Sequence, residues 1–225
     1  MPSLMRERLR IAALVCPLVL GCAGSAAGAI SGKATVKTDQ GCYVVSSAVA
    51  LYGSGFAPAR TYDVAVDGVD FGQSKTDADG GFATHFSPGG LGAGVVQSVH
   101  HVDVTDGTSD ASAAFTVTRQ TGARFEVSSG DPRQLRALFQ AWGFSMDGTQ
   151  RSLYLHYVPP HGRVRTTVPL GRAGGQCGYL VTRRIRVFPF VPAAGRWTLQ
   201  VDTAQSYDAQ ATGPVARFHV VIRRG

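Results

Sequence analysis

The chain contains no asparagine, and only three lysines against nineteen arginines. Such a bias is a codon effect of a GC-rich coding sequence and carries no chemistry. Other absences exclude more. No H-E-x-x-H or C-x-x-C spacing occurs, and no G-x-S-x-G elbow, so the familiar zinc and serine-hydrolase signatures are missing. The segment after Lys33 has cysteine only at Cys42 and Cys177, and neither lies near a histidine signature that would make it a nucleophile. From Arg119 onward there are five acidic residues, few for a paired-carboxylate glycosidase site. Asp77-Ala78-Asp79-Gly80 opens like a calcium loop, but Phe82 follows at once with no closing Glu, which reads as a hairpin turn. His100 and His101 are consecutive in an apolar stretch, so they point to opposite faces and do not share a metal. The expectation is no catalytic residue, no metal site and no cofactor.

Long apolar runs are also lacking. Ile11 to Leu20 gives ten apolar residues, half of the roughly 20 that a spanning helix needs. Arg6, Arg8 and Arg10 precede this run, and Leu20-Gly21-Cys22-Ala23 follows it. A charged n-region, a short apolar core and small residues near the cut are the layout of an export signal. The motif resembles the lipobox of bacterial lipoproteins, which implies lipidation at Cys22 and a Gly/Ala/Ser tether up to Gly32. Cleavage at Ala27-Gly28-Ala29 is the competing outcome and would release a soluble protein. Several acyl chains hold a protein stably on a membrane where one does not. The expected location is therefore the outer side of the cell membrane, lipid-anchored, or the secreted fraction.

Charge is divided unevenly. Lys33 to Thr118 carries four basic and nine acidic residues, a balance of −5, whereas Arg119 to Gly225 carries fifteen arginines and five acids, a balance of +10. That asymmetry places a boundary near Arg119-Gln120-Thr121-Gly122. The expected organisation is 1–32 export signal and tether, 33–118 an acidic domain, and 119–225 a basic domain. The two halves dock on each other, or the basic half faces an anionic partner. Outside the cytoplasm thiols tend to pair, which predicts a disulfide of Cys42 and Cys177, within the chain or between chains.

Short apolar segments separated by Gly, Pro and Asp turns run the length of the chain. Ala48 to Tyr52, Tyr62 to Val66, Phe82 to Phe86, Val95 to Val104 and Ala113 to Val117 suit strands in the first half. Ser152 to Val158, Val164 to Leu170, Ile185 to Phe190, Trp197 to Asp202 and Ala216 to Ile222 suit them in the second. Strands at this spacing predict an all-β protein of two sandwiches. Asp131-Pro132 is able to cap a helix carrying Leu135, Leu138, Phe139 and Trp142 on one face. Leu135, Ala137, Phe139 and Ala141 also alternate as a strand, and an echo of the first half's order of parts favours the strand.

Tyr52-Gly53-Ser54-Gly55-Phe56-Ala57-Pro58, then Val64-Ala65-Val66-Asp67-Gly68 and Thr76-Asp77-Ala78-Asp79-Gly80-Gly81-Phe82, resemble bacterial extracellular immunoglobulin-like modules over 33–118. The resemblance implies an immunoglobulin-like β-sandwich there, acting as an exported, surface-displayed binding or spacer module without a catalytic site. The second half shares only the rhythm of such modules, and the fold expected is two tandem immunoglobulin-like β-sandwich domains after a cleaved signal.

The residues most open to a binding role are arginines. Arg163, Arg165, Arg172, Arg183, Arg184 and Arg186 fall within 24 residues, interleaved with Tyr179, Phe188 and Phe190. Guanidinium forks on a shared strand face grip phosphates or carboxylates. Arg163, Arg165, Arg183, Arg184 and Arg186 are the candidate anion-binding set. Export excludes nucleic acid as the partner and leaves the membrane, reached through the lipid anchor, an anionic envelope polymer or acidic glycan, or another surface protein. The function expected is an envelope binding or structural module; a soluble secreted ligand-binding protein is the alternative, and a hydrolase on a β scaffold a distant one.

Overall fold

Alternation of apolar and polar residues dictates most of the observed architecture. The computed structural model describes residues 33–126 and 130–223; the export segment, with the lipidation candidate Cys22, lies outside them. The first half supplies β1 (Thr35–Thr38), β2 (Cys42–Val44), β3 (Val49–Ser54), β4 (Thr61–Val66), β5 (Val69–Lys75), β6 (Phe82–Phe86), β7 (Gln97–Thr105) and β8 (Asp110–Thr118). The second supplies β9 (Gly122–Glu126), β10 (Arg136–Trp142), β11 (Arg151–Val158), β12 (Thr166–Ala173), β13 (Leu180–Val181), β14 (Ile185–Arg186), β15 (Gly195–Asp202) and β16 (Ala216–Ile222). Among the described residues there is no helix. The protein is all-β.

Strands β1-β3-β6 form one sheet and β2-β8-β7-β4-β5 a second, in which β2 runs parallel to β8. Tyr62, Val64 and Val66 of β4 turn inward while Thr61, Asp63 and Ala65 turn out, the period of two that a one-sided sheet requires. They meet Val49 and Leu51 from β3, Val102 and Val104 from β7, and Phe115 and Val117 from β8 in one buried cluster. The Asp67-Gly68 turn joining β4 to β5 has positive φ at both residues, 50° and 77°, as a tight two-residue hairpin demands. Asp77 Oδ1 accepts the backbone N–H groups of Asp79 and Gly81, so that carboxylate closes a turn.

Beyond Arg119 a second, separate cluster forms. One sheet is β12-β11-β15-β16; the other has β10 at its centre, with β9 on one side and β13 and β14 on the other. Ala137, Phe139 and Ala141 of β10 face Leu153, Leu155 and Tyr157 of β11 and Trp197, Leu199 and Val201 of β15. The ambiguous segment is thus a strand. Asp131 does start a turn, its carbonyl accepting the N–H groups of Gln134 and Leu135. The turn goes no further because the residues beyond it find ladder partners on both edges. The strand expected over Ile185 to Phe190 stops at Arg186. Pro189 offers no N–H to a ladder, and Phe188 and Phe190 instead pack on Tyr157 and Trp197.

Cys42 and Cys177 are bonded within the chain, Cα atoms 5.3 Å apart and 135 residues apart in sequence. Both are buried. A glycine adjoins each. A Cβ on Gly41 would stand 2.3 Å from Gln176 Oε1, and one on Gly178, where φ is +61°, 2.4 Å from the Ser145 nitrogen. At Gly178 the chain therefore passes too close to the Ser145 backbone to tolerate a side chain, whereas at Gly41 the neighbour is the movable Gln176 side chain.

Candidate functional site

The inward residues of β10 are Ala137, Phe139 and Ala141, which leaves Arg136, Leu138, Gln140 and Trp142 on its outer face. Antiparallel pairing extends that face sideways. On β9, Arg124 stands opposite Gln140, Glu126 opposite Leu138 and Gly122 opposite Trp142. On the other side Val181 stands opposite Gln140 and Arg186 opposite Arg136. Between those two paired stretches the register slips by one residue. Thr182 still pairs with Phe139 through its backbone N–H and Oγ1, whereas Ile185 pairs with Ala137. Arg183 and Arg184 therefore both oppose Leu138, a β-bulge, and both are exposed.

One sheet face thus carries Arg124, Arg136, Arg183, Arg184 and Arg186, all exposed. Glu126 is the carboxylate of these strands. Among the described residues, none of the five guanidinium groups lies within 4.0 Å of a carboxylate. Like charges directly opposite in a sheet repel, and Arg136 against Arg186 is such a pair. Charged side chains on an edge strand also block edge-to-edge aggregation, but that purpose does not need five cations of one sign.

The same face has a fixed polar and aromatic end. Arg124 Nε donates to Gln140 Oε1 at 2.6 Å, and the Gln140 amide donates to the Tyr179 hydroxyl. The Arg124 guanidinium lies 5.9 Å from the centroid of the Trp142 ring. That ring is laid over Gly122, where a Cβ would come within 2.5 Å of it. Trp142 Nε1 donates to the Gln120 carbonyl at 2.9 Å, so the indole is clamped.

The structure divides the expected arginine set. Arg183, Arg184 and Arg186 share the β10 face. Arg163 and Arg165 belong to the β11–β12 connection of the opposite sheet, where the Arg165 guanidinium sits 4.7 Å from the Phe190 ring centroid. Arg172 is exposed on β12. Sequence reasoning missed Arg124, Arg136, Gln140 and Trp142. Their signal was present: Ala123-Arg124-Phe125 and Phe139-Gln140-Ala141-Trp142 alternate, so once β9 is recognised the polar partners fall on one side.

A second unexpected cluster lies on the outer face of the other sheet. His156 Nδ1 meets Thr167 Oγ1 at 2.7 Å, and its Nε2 meets Asp202 Oδ1 at 3.1 Å. Asp202 also accepts from the Gln200 amide and the Ala204 N–H, and Gln200 Oε1 accepts from Arg217 Nε. With the Asp202 carboxylate as acceptor, the imidazole donates from Nε2 while Nδ1 faces the Thr167 hydroxyl. Hydroxyl, imidazole and carboxylate stand in the order of an activated nucleophile. Yet His156 is fully buried and Asp202 nearly so, and Tyr207, from the loop joining β15 to β16, lies over the imidazole. The sealed imidazole ties that loop down.

Near the disulfide a cavity of about 610 Å³ is lined by Asp39, Gln40, Ser145, Met146, Asp147 and Arg151 among others. Its charged groups are already engaged: Asp147 pairs with Arg151, and Asp39 accepts from the Tyr43 hydroxyl and the Ala50 N–H. The hydroxyls of Ser145 and Thr149, the Thr149 N–H and the Arg151 cation hold the Asp147 carboxyl well below the usual carboxylate range. Ion pairs among the described residues lie within one half or the other, and none joins the acidic half to the basic half.

No protein-family description matches this chain, and no curated protein does. Among solved structures it is similar to a β-glucuronidase of Parabacteroides merdae, at 9% identity and a TM-score of 0.27 over 85% of this chain. It is also similar to red sea bream transglutaminase, at 8% identity and a TM-score of 0.30 over 86%. The chain spans 25% and 31% of those two proteins' lengths. Likenesses at these scores carry no argument.

Proposed function

We propose that this protein is an exported cell-envelope binding module, lipid-anchored through Cys22 and without catalytic activity, whose exposed β10 face takes an anionic polymer. The observation that carries this reading is the set Arg124, Arg136, Arg183, Arg184 and Arg186, gathered on one sheet face with no carboxylate within ion-pair distance among the described residues. Planar guanidinium forks bind carboxylate and phosphate in a bidentate manner. Clustered on a surface they also steer polyanions at long range, an effect that salt screens.

Two tandem immunoglobulin-like sandwiches are part of the proposal. The two separate hydrophobic clusters, each drawing on two sheets, support it. The lipid anchor rests on the arginine, apolar and Leu-Gly-Cys-Ala order at the N-terminus. An acyl label carried by the native chain and lost in Cys22→Ala supports the anchor; unlabelled soluble protein supports cleavage at Ala27-Gly28-Ala29 and a secreted form with the same binding face. Binding is tested by retention on purified envelope. Salt-sensitive retention that falls in Arg183→Ala/Arg184→Ala/Arg186→Ala is expected, and retention unchanged in that variant overturns the reading.

A further inference from the structure

The geometry points to a carboxylated polysaccharide, a chain of uronic acid rings, as the polymer class, with one sugar ring stacked on Trp142 and its carboxylate on Arg124. This rests on the anion-binding reading of the β10 face and adds the chemistry of the repeating unit. A polyphosphate needs only the cations. The face offers more than cations at its β9 end. The Trp142 indole packs against Gly122 and is pinned by its Nε1–H to the Gln120 carbonyl. A pyranose ring presents a face of C–H bonds that complements the negative face of an aromatic ring. A clamped indole loses no rotamer freedom when that contact forms, so more of the contact energy appears as affinity.

The Arg124 guanidinium, over the ring at 5.9 Å from its centroid, has spent only Nε, on Gln140. Its two terminal amino groups have no hydrogen-bond partner among the described residues, and they form the fork that a carboxylate takes in a bidentate manner. Tyr179 accepts from Gln140, which leaves its own hydroxyl proton to donate to a sugar hydroxyl. Stacking surface and fork stand on β10 and β9, and the hydroxyl donor Tyr179, just before β13, is joined to them through Gln140. Farther along the same face, Arg136, Arg183, Arg184 and Arg186 meet the carboxylates of later rings.

The test titrates the full chain with oligogalacturonate, with linear polyphosphate and with neutral dextran. Trp197 is buried and Trp142 is half-buried, so emission accessible to a neutral quencher belongs to Trp142. Oligogalacturonate is expected to bind, to shield that emission, and to bind about tenfold more weakly to Trp142→Ala, an effect the size of one lost aromatic contact. Polyphosphate affinity is expected to be the same in Trp142→Ala as in the native chain. The shielding is read on the native protein, so it does not depend on the variant folding. Unshielded emission, or equal loss of both polyanions in a folded Trp142→Ala, overturns the sugar inference while leaving the anionic face intact. Failure of the native chain to bind either polyanion overturns both.

Discussion

Arg136 and Arg186 stand directly opposite each other across the β10–β14 pair, both exposed and with no carboxylate within 4.0 Å of either among the described residues. Facing like charges cost a sheet about 0.2–1 kcal/mol. Arg186→Thr is therefore expected to raise the stability of the free protein by roughly 0.5 kcal/mol, aided by the strand preference of threonine. The same change is expected to weaken polymer binding, the opposition of stability and activity seen where a site holds unfavourable contacts. Denaturant titration beside a binding assay checks both signs.

The Cys42–Cys177 bond closes a loop across a sequence separation of 135 residues. In the chain-entropy account such a loop is worth about 5 kcal/mol. Cys42→Ser/Cys177→Ser should lower the denaturation midpoint by a corresponding amount, and a reductant should do the same to the native chain only if it reaches the buried sulfurs.

Asp106 anchors the turn between β7 and β8. Burial acts to raise its carboxyl, but donors from the Ala57, Thr108 and Ser109 backbones and the Thr108 hydroxyl outweigh that and hold it well below its ordinary value of 3.8. A depressed folded-state value means the carboxylate's stabilisation is fully present above about pH 4 and is lost as pH falls further toward the folded value. Asp106→Ala leaves three backbone donors unmatched and should cost about 3 kcal/mol at pH 7. Acid titration of the variant should show a smaller loss of stability below pH 4 than the native chain, the usual range for a carboxylate.

Much of this fold was legible as rhythm. Phe82–Phe86 and Ala216–Ile222 are read from alternation at their observed bounds. β5 was not, because it is an edge strand whose residues are all exposed and an edge needs no apolar alternation. β1, β2, β9 and β13 are short and lean on neighbours for definition. The binding face was half legible. Arg183, Arg184 and Arg186 cluster in sequence and share the face, whereas Arg163 and Arg165 lie in the β11–β12 connection, Arg165 against Phe190. Arg124 and Arg136 alternate with apolar neighbours in their own strands, but only the pairing of β9 and β14 with β10 joins them to the face. The pairing of Cys42 with Cys177 followed from compartment; that it lies within one chain did not.

His156, Asp202, Gln200 and Arg217 fasten the β15–β16 loop through side chains that a strand pattern leaves as outward-facing polar residues. Asp202→Ala strips partners from a buried imidazole and a buried amide, at an expected cost of about 3 kcal/mol. The loop around Tyr207 to Gly213 should become the first site of limited proteolysis, since loosely held segments open locally before the core does.

Retention of the full chain on purified cell envelope, as a function of salt, tests the central claim most directly. Retention should fall as salt rises, and Arg183→Ala/Arg184→Ala/Arg186→Ala should show both weaker retention and a shallower dependence on salt. Retention in that variant equal to the native chain at every salt concentration would contradict the account.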